Sequence, residues 1–175
     1  MRRTTLVPLI LLLAAQAWSP AALAAPTASA TMLAKSTLLG VQSAMRDAQQ
    51  DGKVPRDAAT CVQSLQPVAL VPVFEAAVAD NWSAGEIDSI EKFLATPAGR
   101  KYADRSVAQA QLDAGDRLVP PMASYTDDEI ADIERFKKTP AGTQLMSRSE
   151  FANPQSRQAI QARLVELLKG CGVVR

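Results

Sequence analysis

Trp82-Ser83-Ala84-Gly85-Glu86-Ile87-Asp88-Ser89-Ile90-Glu91-Lys92-Phe93-Leu94-Ala95-Thr96-Pro97-Ala98-Gly99 is followed, at a constant offset of 43 residues, by Tyr125-Thr126-Asp127-Asp128-Glu129-Ile130-Ala131-Asp132-Ile133-Glu134-Arg135-Phe136-Lys137-Lys138-Thr139-Pro140-Ala141-Gly142. Nine positions are identical without a gap, and Trp/Tyr, Ser/Thr and Lys/Arg are like for like, so the stretch reads as an internal duplication. Each copy opens with a helix start. Ser83 and Thr126 stand as N-caps, with Glu86 and Glu129 three residues on to complete capping boxes. Trp82 with Ile87, and Tyr125 with Ile130, have the spacing of a hydrophobic staple. Ile87, Ile90, Phe93 and Leu94 form an apolar stripe, matched by Ile130, Ile133 and Phe136, and both stripes are expected to be buried.

Thr96-Pro97 and Thr139-Pro140 end these helices, because the residue before proline is pushed out of the α region. They also begin the next ones, with threonine as N-cap and proline at the first helical position. Gly99 and Gly142 then remove a side chain where two helices meet at the corner. Each copy is thus helix, tight corner, helix. The pattern of capping box, apolar helix, phenylalanine and Thr-Pro-Ala-Gly corner in residues 126–142, and nearly as closely in 83–99, resembles a family of exported bacterial envelope proteins designated a domain of unknown function. The likeness covers about residues 71–151. It implies an all-helical fold and an exported location, and it brings no catalytic residues.

Residues 1–24 have the layout of a cleavable secretory signal. Arg2-Arg3 supply the charge, residues 6–15 the apolar run, and Ala22-Leu23-Ala24 the small-x-small site, with cleavage after Ala24. A signal anchor is the rival reading, but the run is short for a span and holds Pro8. No cysteine follows the site to carry a lipid. The expectation is a periplasmic protein, if the cell is Gram-negative, with no stable membrane anchor. Arg2 and Arg3 are two of 19 basic residues, so the mature chain carries 17 against 18 acidic ones, a net charge of −1. No basic patch interleaved with aromatics is present, which makes nucleic acid a poor partner.

The remainder reads as a flexible small-residue linker over 25–30 and a single helical domain over 31–175, with the repeats at 82–122 and 125–152. A helix over 31–50 is expected to bury Ala34, Leu38, Val41 and Met45. Asp57 is placed to cap a short helix containing Cys61, Val62 and Leu65, which Pro67 interrupts. Residues 70–80 turn Val71, Phe74 and Val78 inward. The second helix of the first repeat is expected to reach Leu118. Asn153-Pro154 starts a last helix that buries Ile160, Leu164, Leu167 and Leu168 and is capped by Gly170. No stretch alternates with period two. The fold class is all-α: a compact bundle of seven or eight helices, with the repeats packed about a pseudo-twofold.

Cys61 and Cys171 are the only cysteines, and in an oxidising compartment they read as one disulfide, with two free thiols as the alternative. Histidine is absent, which removes the usual general base and the commonest metal ligand; no catalytic, cofactor-binding or metal residue is assigned. Carboxylate-only chemistry survives as a reading in which Glu91 and Glu134, related by the repeat, act as an acid–base pair, against the plainer reading of helix-flank charges with Lys138 beside Glu134. The corners can be anion sites, although packing explains them as well. Phe74, Phe93, Phe136 and Phe151 have core spacing, which leaves Trp82, Tyr102 and Tyr125 as the aromatics able to face a partner. The functional expectation is binding to another envelope or secreted protein, with immunity against an antibacterial toxin as its specific form. An envelope-maintenance or chaperone-like protein and a carboxylate-dependent hydrolase are the alternatives.

Overall fold

The computed structural model describes residues 25–116, 119–148 and 151–173, so residues 1–24, expected to be a secretory signal, lie outside the described residues. These residues form α1 (Ala28–Gln50), α2 (Arg56–Ser64), α3 (Val71–Asn81), α4 (Ala84–Leu94), α5 (Pro97–Asp113), α6 (Asp127–Lys137), α7 (Pro140–Met146) and α8 (Pro154–Gly170). A 3-10 turn at Pro67–Ala69 precedes α3, and there is no strand among the described residues. The fold is an all-α bundle.

At its centre runs α1, packed against α2, α3, α4 and α5. Small residues make this possible: Ser29, Ala30, Ala34, Ser36 and Ser43 are all buried along it, among Met32, Leu33 and Leu38. The linker expected over 25–30 is therefore corrected. Thr27 caps α1, and Ser29 and Ala30 are fully buried. The helix starts there because two carboxylates from other helices receive its first N–H groups. Glu75 accepts from the Thr27 N–H at 2.6 Å, and Glu91 from Ala28 at 2.6 Å and Ser29 at 2.9 Å. Carboxylates at a helix N-terminus satisfy orphan donors and oppose the positive end of the dipole.

Further along α1 the sequence pattern misleads. Val41 and Met45 are half-buried, and Gln42 and Ser43 take the inner positions. Gln42 Nε2 donates to the carbonyls of Val62, Gln63 and Leu65 at 3.1, 3.2 and 3.1 Å, and so helps satisfy the acceptors at the end of α2. Ser43 Oγ donates to Asp116 at 3.2 Å, beside the Arg46–Asp116 ion pair at 3.0 Å. An apolar side chain at either position would leave buried polar groups unmatched.

Around α1 the core gathers Leu70, Phe74 and Val78 of the α3 region, Ile90, Phe93 and Leu94 of α4, and Ile160 of α8. Phe74 is fully buried and meets Phe151 edge-on at 6.1 Å. Three element ends differ from expectation. Pro55, with no side-chain bond, stands at the N-cap of α2, and Asp57 lies inside its first turn, where an acid still favours the dipole. α5 stops at Asp113, because Gly115 turns at φ +93° and Asp116 N–H returns to Gln111 O at 3.0 Å. At the end of α8 the left-handed residue is Gly172 rather than Gly170. In that last helix Ile160 is buried, while Leu164, Leu167 and Leu168 are half-buried.

α8 packs on α3, and Arg163 Nε donates to Ala69 O at 3.1 Å. Its far end meets α2 through Cys61 and Cys171, whose sulfurs lie 1.99 Å apart, at disulfide distance, across a sequence separation of 110. The link closes nearly the whole domain into one loop. Replacing both cysteines by serine is expected to lower the unfolding free energy by on the order of 4–5 kcal/mol, the chain-entropy value for a loop this long. Urea unfolding of the oxidised chain and of the double variant measures it; a loss below about 1 kcal/mol would show that packing alone holds α8.

Candidate functional site

The two segments related by the 43-residue offset take the same local structure. Ser83 Oγ accepts from the Glu86 N–H at 3.3 Å while the Glu86 carboxylate accepts from the Ser83 N–H at 2.8 Å, and Thr126 and Glu129 repeat both bonds at 3.3 and 2.8 Å. At the corners, Thr96 Oγ1 donates to Phe93 O at 2.7 Å and accepts from Gly99 N–H at 3.0 Å; Thr139 does the same with Phe136 O and Gly142 at 2.7 and 3.0 Å. A Cβ on Gly99 would lie 1.9 Å from Phe93 O, and one on Gly142 2.0 Å from Phe136 O. Neither corner has room for alanine.

Cross-packing joins the copies. α4 packs on α7, and α6 on α5. Phe93 and Phe136, equivalent in the repeat, stack face to face with centroids 4.0 Å apart and planes 8° from parallel. Lys101 of α5 pairs with Glu129, and its counterpart Gln144 of α7 hydrogen-bonds Glu86. Each capping glutamate thus receives a donor from the opposite copy. This reciprocal exchange is what a pseudo-twofold through the phenylalanine stack requires.

A shallow groove of about 390 Å³ opens over that stack. Its walls are four equivalent pairs: Ser89 and Asp132, Lys92 and Arg135, Phe93 and Phe136, Thr96 and Thr139. Phe93 is buried and Phe136 half-buried, so the second stripe is not buried as expected. No residue of α6 is buried, and Ile130 is 48% exposed. α6 packs on α5 and α7 and makes no comparable contact with α1, which leaves its outer face in water. The charged rim is locally balanced, Lys92 with Asp88 at 2.6 Å and Arg135 with Asp132 at 2.8 Å.

The aromatics expected at a partner face divide. Trp82 is buried in the core at 4% exposure, and Tyr102 packs beside Phe93 at 6.0 Å. Tyr125 lies under Arg105 and Lys101, at 4.8 and 5.7 Å from its ring centre. Burial pushes the Tyr125 phenol up, against the pull of Arg105. The two carboxylates considered as an acid–base pair have separate engagements: Glu91 holds the start of α1, and Glu134 sits at the surface 3.5 Å from Lys137, rather than with Lys138. At the first corner Arg100 donates to Ala95 O and Lys101 reaches Glu129, so both cations are engaged with groups of the protein.

Lys101 shows in the sequence only as a charge beside the first corner, and Arg105 and Arg148 were passed over, although Arg105-Ser106 recurs 43 residues on as Arg148-Ser149.

Two predictions follow from these contacts. Gly99→Ala is expected to destabilise by more than about 2 kcal/mol through backbone displacement. Gly85→Ala, in a helix with open space around the new methyl, is expected to stabilise by about 0.4–1 kcal/mol. Urea unfolding of both decides whether the corner is as tight as described. The second concerns pH. The Lys101 hydrogen bond, followed by the Thr126 N–H, holds the Glu129 carboxyl below its ordinary 4.5; the Ser83 hydroxyl and then the Ser83 N–H do so for Glu86. Carboxyls depressed on folding stabilise the protein above their unfolded-state value, and lose that effect as pH falls through the folded-state values. Glu86→Gln with Glu129→Gln should therefore lower the melting temperature at neutral pH and flatten its fall below about pH 4.5. An acid limb as steep as in the parent protein would remove these two groups from the account.

No family model, no curated protein and no solved structure matches this chain.

Proposed function

We propose that this chain is an exported, periplasmic helical protein that works by stoichiometric binding to another envelope or secreted protein, and that immunity against an antibacterial toxin is its specific form. The observation that carries the reading is the groove on the repeat axis, where the Phe93–Phe136 stack lies beneath two charged rims. Its side chains stand on two capped helices with locked corners, so presenting them to a partner costs little ordering entropy. An apolar floor within a polar rim is the usual anatomy of a protein–protein contact. The signal-like residues 1–24 and the likeness of 126–142 to an exported family support the location. Among the described residues, no helix is long and apolar enough to cross a membrane.

A chaperone-like or envelope-maintenance role is the second reading. It is favoured by Val68 at 70% and Leu112 at 42% exposure, and by an apolar hollow between α3 and α8 beside Pro72, Val73 and Ala159. A carboxylate-dependent hydrolase has less support, because Glu91 is engaged in holding α1.

Capture from the periplasmic extract of the encoding cell, with the bound protein identified by mass spectrometry and titrated after purification, tests the first reading. Lys92→Glu with Arg135→Glu reverses both rims at exposed positions and is expected to weaken binding by at least about tenfold, or 1.4 kcal/mol, with unchanged circular dichroism. Unchanged affinity would place the contact elsewhere. A deletion strain grown in contact with its parent addresses immunity. Survival of the deletion strain, with no adjacent gene for an exported toxin that binds this protein, defeats that form and leaves generic binding to the titration.

A further inference from the structure

Between α5 and α1, sharing no lining residue with the groove over the phenylalanine stack, a cavity of about 280 Å³ receives an arginine from each copy of the repeat, Arg105 from α5 and Arg148 from just past α7. Its apolar wall comes from three directions: Met32 and Leu33 of α1, Met122 of the segment before α6, and Leu145 of α7. Leu33 and Leu145 are core residues, so this wall belongs to the folded interior.

An oriented arginine favours an anion. Among the described residues lining the cavity, Arg105 and Arg148 are cationic and Asp113 is anionic, its carboxylate accepting from Gln109 Nε2 at 2.8 Å. Arg105 is held by uncharged partners. One guanidinium N–H donates to Ala123 O at 3.0 Å, and the plane lies over the Tyr125 ring at 4.8 Å. Those contacts orient the fork without neutralising it, and a guanidinium so oriented matches a carboxylate bidentately. Tyr125 is half-buried with its ring beneath Arg105, so an ion pair formed beside it is less screened than at open surface.

Size and shape narrow the class further. The volume lies just below the usual range for ligand pockets, about 300–1,000 Å³, which suits a short chain or a single large side chain. Met32 and Met122 are flexible enough to close on an unbranched body. We propose that this cavity binds a small monocarboxylate with an apolar body, its carboxylate held at Arg105 and its body lying on Met32, Leu33 and Met122. Two sources carry that chemistry: a short fatty acid, and the C-terminal residue of a peptide.

Calorimetric titration of the disulfide-bonded chain with sodium octanoate and with N-acetylleucine separates the sources, and octylamine and octanol serve as charge controls. Saturable one-to-one binding of at least one acid is expected, with the amine and the alcohol weaker by at least about tenfold. Whichever acid binds more tightly names the source. Arg105→Gln should weaken the acid by at least about tenfold, and Arg105→Lys by less, since a point charge keeps attraction without the fork. Gln109→Glu, at an exposed position on the cavity wall, adds a second anion one turn from Arg105, where it competes with a bound carboxylate and should weaken binding, which keeps the test open if Arg105→Gln fails to fold. Absence of saturable binding by both acids overturns the proposal. So does equal binding of octylamine or octanol, or undiminished affinity in Arg105→Gln or, should that variant not fold, in Gln109→Glu.

Discussion

Where α4 meets α5, and again where α6 meets α7, a glycine lies so close to the carbonyl of the phenylalanine six residues earlier that no side chain fits between them. This contact sets the geometry of the whole repeat. It fixes the angle between the two helices of each copy, and it holds the backbone of Phe93 and Phe136 while their rings project to the axis. Threonine locks the same turn from the other side, donating to that carbonyl and accepting from the glycine N–H. With both corners rigid, the two copies approach in few ways. The arrangement found stacks the rings and places α4 on α7 and α6 on α5. The groove, its charged rims and the crossed donors to Glu86 and Glu129 all follow from that approach.

The features read correctly from the sequence are those whose partners lie within a few residues. Capping boxes, Thr-Pro corners and the inward face of α3 are local, and each is present. Cys61 and Cys171 could be paired at a distance only because they are the sole two. What stayed hidden depends on another element arriving. The start of α1 needs Glu75 and Glu91, so a run of alanine and serine that reads as linker becomes buried helix. Gln42 displaces Val41 from the interior because the end of α2 presents three carbonyls there. Periodicity counts apolar residues, and it has no means of seeing a distant carbonyl.

The candidate site was legible to a similar degree. Phe93, Phe136, Thr96 and Thr139 were visible as repeat positions, but not that they would line one groove. Lys101 was visible only as a charge beside a corner, since its partner is 28 residues away on another helix. Trp82 and Tyr125 show the same limit from the opposite side. They are equivalent in sequence, yet one is sealed in the core and the other lies beneath two cations.

That divergence has a single physical cause. The central helix α1 packs against α4 and α5 of the first copy, whereas the helices of the second copy rest on those of the first. Burial under α1 demands apolar side chains, and exposure in the second copy permits charge. Leu94, 4% exposed, is therefore matched by exposed Lys137. Ile90 is fully buried while its counterpart Ile133 is only half-buried. Residues kept in both copies are mostly those the corner and the axis need: the capping glutamates, the phenylalanines, and the Thr-Pro-Ala-Gly turns. The two copies of the motif thus meet different demands. The first packs under α1, whereas the second adds Ala141 and Leu145 to the core and leaves the outer face of α6 in water.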